Sequence, residues 1–489
     1  MKHILVSITL LVLCAPYMFA QMQFVKIYGG GSYDVGKSVI QTDDDGYVIA
    51  GSTGSFDLDN GQFMLIRTDA WGSEQWRKYY GGDFSDNLES MVATIDGGYI
   101  MAGVSETLSA SYQVLLVKTD LLGDTMWTRH YGGPSWDYGH QIITMSSGGY
   151  AVVGQTYSFG QGQGDVLILR LDEAGDVLWM KTYGSPAQEA GHSIDETMDG
   201  GLIVAGYTEG FGGGGKDAWV LRLDALGDSL WTRTFGGVED DVANAIVATS
   251  DGGFAFSGGR TSNGVGGFDF NVTKMNNQGL ELWSFLYGGP LNDVWNDIIE
   301  QDGGRLATIG YSQTTTAGGG GDDLFILRLT HDGLYDESRT YGELGDERGH
   351  SIITTSDGGY LLLGETTGYL DRMTDAIAYK TGPNGEGVVF TVGIQESTIG
   401  EELSIAVAPN PFSEYAYFTL RGYRASASKW RSAVELHVYD MFGKQIYTQL
   451  IENEVTPLLL SQLADGVYSY RVSSSGAFSL SGTIVKTGY

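Results

Sequence analysis

The chain is poor in several residue types, and each shortage excludes something. Of 489 residues one is cysteine, Cys14, so no disulfide framework, thiolate nucleophile or cysteine metal cluster can be built. Prolines number eight. No apolar run is long enough to cross a bilayer as a helix, so no transmembrane segment is expected. Basic residues are few, 28 against 60 acidic, for a net charge of −32 and a pI near 4.3. A chain without a basic face is a poor partner for nucleic acid or for an anionic membrane surface. There is also no Gly-x-Ser-x-Gly and no His-Glu-x-x-His, so neither of those catalytic motifs is present.

What is abundant is glycine, 74 residues, with 12% aromatics. A tyrosine-glycine phrase recurs at Tyr28, Tyr80, Tyr131, Tyr183, Phe235, Tyr287 and Tyr341, at steps of 51 to 54 residues. A Gly-Gly turn keeps the same step, before Tyr99, Tyr150, Leu202, Phe254, Arg305 and Tyr360, with a shorter DGY copy at Tyr47. Tryptophans at 76, 127, 179, 231 and 283 mark a third phrase. Self-similarity at this period means a propeller or a solenoid.

Inside one unit, residues 191–235, four short apolar runs are separated by Asp-Gly-Gly and other turn residues. That is four antiparallel strands, one propeller blade, and seven units make seven blades. The strand phrase that ends each unit occurs an eighth time at 23–28, ahead of the first repeat. The predicted arrangement has this N-terminal strand completing the last blade, while 385–390 leads out of the ring. Closure of this kind removes unpaired edges.

The two ends read differently. Residues 1–20 have a polar start, a largely apolar stretch and a small residue, Ala20, before Gln21, which is the pattern of a secretory signal peptide. Lipoprotein processing at Cys14 is disfavoured by Leu13 before it. The predicted organisation is a signal peptide over 1–20, a propeller over 21–392, a linker over 393–402 and a C-terminal domain over 403–489. The fold class is all-β, a seven-bladed β-propeller followed by a small antiparallel sandwich of some seven strands, Ig-like in character.

That C-terminal segment contains Pro409, Asn410, Pro411 and Phe412, then YDMFGK with Asp440, Gly443 and Lys444, then GVYSYRV with Gly466 and Tyr468, and a last strand with Lys486. These motifs, in this order, closely resemble the C-terminal (type A-like) sorting domain of type IX secretion substrates. The resemblance implies a Gram-negative cell, the type IX secretion machinery as partner, and delivery to the outer cell surface or the extracellular space. It concerns about 90 residues and implies no activity for the propeller.

Candidate chemistry sits at the start of each unit. An acid precedes a variable polar residue by three positions: Asp34 and Lys37, Asp86 and Glu89, Asp137 and His140, Glu189 and His192, Asp241 and Asn244, Asp293 and Asn296, Glu347 and His350. The first strand of a propeller blade lines the central channel, so these residues are expected as two stacked rings at one mouth. Trp136 and Trp295 lie beside the acidic ring, and aromatics beside carboxylates suit a sugar. The alternative is that each acid is a turn device, since a feature kept in every blade has the character of scaffolding. Glycine loops ending at Asp217 and at Asp322 and Asp323 resemble calcium-binding turns, but as isolated copies rather than tandem ones. No cofactor is expected; those loops leave calcium open, as in a calcium-stabilised structural protein.

The expected function is a secreted or cell-surface binding or scaffold module with an extracellular protein or glycan ligand. The alternative is an extracellular polysaccharide hydrolase or lyase using the acidic and histidine ring, for which the residues give no positive support.

Overall fold

The computed structural model describes residues 23–385, apart from 57–59, 107–110, 263, 265, 315–320, 343–344 and 368–372, and from 404 onward seven strands with a few flanking residues. The expected leader (1–20) and linker (393–402) lie outside the described residues, as do 386–390, Pro409, Asn410, Pro411, Phe412, Asp440 and Gly443. Among the described residues every regular element is a strand.

Residues 24–381 form seven four-stranded antiparallel sheets. The inner strands are Asp34–Gln41, Asp86–Ala93, Asp137–Thr144, Glu189–Glu196, Asp241–Ala248, Asp293–Gln301 and Glu347–Thr354, each beginning on the repeated acid. In six blades the strands run in chain order from inner to outer. The seventh takes its outer strand from the N-terminus: Phe24–Tyr28 pairs with Asp375–Thr381, from Phe24 opposite Lys380 to Tyr28 opposite Ala376. This is the closure that the eighth copy of the outer-strand phrase implied.

The core lies between blades. Seven apolar clusters fill seven interfaces; at that between blades 3 and 4, Val153 and Ile168 meet Val204 and Leu221. Second and third strands are covered on both faces, so they read as continuous apolar runs such as LIVAGYT and DVLILRL, buried along their length. Each fully buried Val, Leu or Ile contributes about 1.5–3 kcal/mol relative to exposure.

The repeated phrases are latches between blades. Tyr28, Tyr80 and Tyr131 donate their hydroxyls to the carbonyls of Gly72, Gly123 and Gly175 in the next blade, at 2.7, 2.7 and 2.6 Å. The repeated tryptophan packs on the same turn. A Cβ on Gly123 would stand 2.9 Å from the Trp76 ring, and its φ of 77° lies in the left-handed region, so the turn requires glycine on both counts. The Asp of the Asp-Gly-Gly turns meets a buried cation of the third strand: Lys274 reaches Asp251 at 2.8 Å and Lys380 reaches Asp357 at 2.8 Å.

The C-terminal region has seven strands in two antiparallel sheets. Ser404–Ala408, Tyr415–Arg421 and Val455–Leu459 form one. Gln445–Leu450, Val434–Tyr439, Gly466–Ser474 and Phe478–Lys486 form the other. Leu436, Val438, Tyr468, Tyr470 and Val472 are buried, Lys444 is exposed, and Gly466 and Lys486 occupy paired positions on the last two strands.

Candidate functional site: the mouth of the central channel

The two expected rings separate. The acids do not face the channel; they are buried inside their own blades, each 2% exposed or less. Asp137 accepts from the backbone N–H of Gly133 at 2.7 Å and from the hydroxyls of Ser158 at 2.6 Å and Thr156. Asp34 accepts from Gly30 N–H at 2.8 Å and from Ser55 and Thr53. Glu189 takes Ser185 N–H at 2.8 Å and Thr208 at 2.9 Å, and Asp293 takes Gly289 N–H at 3.1 Å and Thr314 at 2.8 Å. Asp86 and Asp241 accept from Gly82 and Gly237 N–H, and Glu347 from Thr366. The carboxylate thus clasps the turn that enters the blade to the end of the second strand.

The partner is set by a second device. In every blade the register between first and second strands slips at the variable residue, from Gly36 to Ser38 in blade 1 and from Gly139 to Gln141 in blade 3. The same slip occurs in the other five. Lys37, Glu89, His140, His192, Asn244, Asn296 and His350 are therefore bulge residues, which have no opposite number on the neighbouring strand, and they line a cavity of about 420 Å³ on the axis. The residue after the bulge stitches blades together: Ser90, Gln141, Ser193 and Asp297 accept the N–H of Ile142, Ile194, Ile246 and Ile352 in the next blade.

Around the ring the side chains partner one another in turn. Lys37 pairs with Glu89 at 3.4 Å. Asn244 donates to Trp295 O at 2.9 Å and Asn296 to Gly349 O at 2.7 Å, while His192 Nδ1 lies 3.2 Å from Ala243 O. His350 Nε2 approaches Glu365 at 3.4 Å. Burial, then the nearby Lys37 ammonium, holds the His140 pKa down to about 4, and burial with His140 does the same for His192. Burial and Lys37 also lower His350, against the pull of Glu365. Burial works to lower Lys37, yet Glu89 and Glu365 carry it above its ordinary value. Burial pushes Asp297 up to about 6, opposed by the N–H groups of Ile352 and Ile298. At neutral pH the channel therefore presents neutral imidazoles, amides, one ion pair and the Asp297 carboxylate, inside a strongly acidic protein.

The mouth is not seven-fold. Tyr112 of blade 2 stacks on Tyr138 of blade 3 at 5.9 Å between centroids, and Tyr138 stacks on His140 at 6.2 Å. His140 meets His192 edge to face at 5.7 Å, and His192 contacts Tyr207 at 5.5 Å. Trp136, 48% exposed, packs edge-on against Tyr112 and Tyr157 at 6.2 and 6.1 Å. Lys216 lies 4.1 Å over the Tyr207 ring. Across the mouth the character is ionic: Arg348 lies 5.3 Å from the Tyr311 centroid and pairs with Asp322 and with Glu365 at 3.6 Å. Sequence reading missed Tyr112, Tyr138, Tyr157, Tyr207 and Lys216. The available signal was in the register, since the position after the acid is Val35, Asn87, Tyr138, Ala190, Val242, Val294 and Arg348, aromatic in one blade of seven.

Trp295 is elsewhere than expected. It is 0% exposed, stacked on Phe270 at 3.8 Å in the core between blades 5 and 6, because its side chain falls on the blade face rather than the channel face. Asp217 accepts from Gly213 N–H at 3.0 Å, and Asp322 accepts from Gln313 at 2.7 Å besides pairing with Arg348. Asp323 is buried at the start of its strand. Among the described residues no group of three or more His, Cys, Asp or Glu is placed to hold a metal ion.

Comparison with known proteins places the tail. Residues 406–487 match the secretion system C-terminal sorting domain, so the chain ends in that domain, which implies the type IX secretion machinery and delivery to the cell surface or extracellular space. Regulatory protein FlaEY of Caulobacter vibrioides is 31% identical over 178 residues, a match covering 30% of this chain and 19% of that protein. The chain thus spans about a fifth of that relative's length. Among solved structures, the Pan2 WD40 domain of Neurospora crassa is similar at 9% identity and a TM-score of 0.45, over 75% of this chain and 97% of that one. The polysaccharide lyase Uly1 is similar at 10% identity and a TM-score of 0.44, over 73% and 91%. A protein of unknown function from Bacteroides caccae follows at 12% and 0.40, over 60% and 93%. These are likenesses of fold.

Proposed function

We propose that this exported propeller is a binding module whose ligand seats at the channel mouth where the inner strands begin. The observation that carries the reading is the bulge ring. One backbone device, repeated in seven blades, aims seven side chains at one axis, and their chemistry varies while the clasping residue is always an acid. A scaffold alone gives no reason for aromatic groups to gather over blades 2 to 4 and ionic ones over blades 6, 7 and 1. Such convergence of a few polar groups with aromatic walls in a cavity is the usual character of a binding site.

The test uses the secreted chain on arrays of extracellular glycans and of surface proteins, beside a Trp136→Ala/Tyr157→Ala variant and a Leu226→Ser control in an exposed turn away from the mouth. Binding lost in the double variant and kept in the control supports the mouth. Binding that survives the double variant overturns it.

A catalytic reading, an extracellular polysaccharide hydrolase or lyase, has one observation in its favour. His140 and His192 are neutral at pH 7, the first beside the Tyr138 ring and the second beside that of Tyr207, so a proton acceptor is present. With pKa values near 4 they are weak bases, and the carboxylate ring that this reading invoked is engaged inside the blades. Turnover of any glycan on the same array, abolished by His140→Gln, would favour it over binding.

A further inference from the structure

Lys216 stands out among the cations of the mouth. Lys37 is paired with Glu89, and Arg348 with Asp322 and Glu365. Lys216 makes no ion pair among the described residues; its ammonium lies over the Tyr207 ring at 4.1 Å. Its backbone is fixed on both sides: its N–H donates to Asp240 at 2.9 Å, and its carbonyl accepts Asp241 N–H at 2.6 Å. A half-buried lysine without a carboxylate is unexpected where acidic residues outnumber basic ones 60 to 28. The Lys216 charge acts on the Tyr157 hydroxyl, which accepts a hydrogen bond from Gln188 at 2.9 Å, and the Tyr157 ring touches Trp136. Glu209 acts on the same tyrosines without pairing with the ammonium, and the unpaired cation and the exposed aromatic face are neighbours, one ring apart.

Building on the mouth reading, we infer that the ligand is an anionic glycan: a pyranose ring lies on Trp136 and Tyr112, with its carboxylate or sulfate at the Lys216 ammonium. The flat apolar face of a pyranose suits an aromatic surface, and Gln188 and the Tyr157 hydroxyl supply donors for ring hydroxyls. The acid group supplies the charge that Lys216 lacks. The chain's net charge of −32 opposes an anion at long range, but at physiological salt that field is screened beyond about 8 Å, whereas a contact ion pair is not. The aromatic–histidine stack and the cation–π contact hold the groups in place before the ligand arrives, which lowers the ordering cost of binding.

The experiment measures, by calorimetry with the full secreted chain, binding of three tetrasaccharides: a uronate, the same chain reduced to its neutral sugars, and a sulfated chain. Variants are Lys216→Gln, Trp136→Ala and the Leu226→Ser control, with thermal melts to confirm folding. The expected result is preference for an acidic chain over the neutral one by about tenfold, the equivalent of 1.4 kcal/mol. Lys216→Gln removes that preference, so that acidic and neutral chains bind with near-equal affinity, and Trp136→Ala weakens all three. Uronate and sulfate arms tell which acid is favoured. No binding of either acidic chain, or a preference that survives Lys216→Gln, overturns the inference. In that case a protein or neutral-glycan ligand from the arrays, lost with Trp136→Ala/Tyr157→Ala, would leave the mouth reading standing. Acidic-chain binding indifferent to both Lys216 and Trp136 would overturn the two together.

Discussion

Asp137 and His140 are three residues apart on one strand and do opposite work. The acid is 0% exposed, and three donors converge on it. The histidine is a bulge residue with a face on the channel and rings of Tyr138 and His192 against it. Every blade repeats the pair, with the acid nearly invariant and the bulge residue varied. Constancy follows from geometry: in blades 1, 3, 4 and 6 the acid reaches both the turn N–H and a second-strand hydroxyl, and little else could accept from both. The channel position has no such obligation, so it is free to differ.

The largest effect in breaking this comparison is expected from Asp137→Ala. It leaves the Gly133 N–H and two hydroxyls without their acceptor in a buried site, at a cost of about 3 kcal/mol or more, read as a lower urea midpoint. His140→Ala at pH 7 should cost about 1 kcal/mol, since it removes packing and leaves no buried donor unmet. If the two variants melt alike, the division between clasp and channel is mistaken.

Next comes acid pH. His140 and His192 titrate near 4 in the folded chain and near 6.5 when unfolded, so the unfolded state takes up protons first as pH falls. Their contribution to stability is complete above about pH 6.5 and is lost between there and about 4. A His140→Gln/His192→Gln variant should lose less stability than the parent between pH 7 and 4.5. The groups facing this pair are Lys37, which lowers His140, Lys216, which lowers His192, and Asn244, which raises it. Asp297 has the opposite sign. Its folded pKa near 6 lies above the unfolded value of 3.8, so its contribution is present below pH 3.8 and lost as pH rises to 6. Asp297→Asn should therefore lose more stability than the parent on going from pH 7 to 4.5, because it lacks this offsetting contribution. Melting curves of both variants at the two pH values check the signs.

The smallest effect sharpens the comparison from the scaffold side. Blade 4 has Phe235 where blades 1, 2, 3, 6 and 7 have a latching tyrosine. Phe235→Tyr should add a hydroxyl within reach of the Gly279 carbonyl and stabilise by up to about 1 kcal/mol. No change in melting temperature would mean that the turn in blade 5 sits differently from those accepting Tyr80 and Tyr131.

Much of this was legible in the residues. The step between tyrosine-glycine phrases counted the blades, and the extra outer-strand phrase at 23–28 foretold which strand closes the ring. The tail motifs point to the same sorting domain that residues 406–487 match. The site is legible in part: the variable members of the pairs are the seven bulge residues that line the cavity, whereas the acids lie inside the blades and not on the channel. Trp295 and Trp136 looked alike beside the acidic ring, yet one is core and the other half exposed. Place in the strand decides that: Trp136 precedes its inner strand, in the turn that enters the blade, whereas Trp295 is the third residue of its strand and packs into the interface between blades.

Repetition by itself determined the blade count, the strand order and the residues that latch one blade to the next, because a unit that cannot bury its own faces must reuse the same contacts at each interface. Only the closed ring decided the mouth. Tyr112, Trp136, Tyr157 and Lys216 are up to 104 residues apart in sequence and belong to three blades. They become neighbours because seven twisted sheets around one axis bring the starts of their inner strands to a single rim.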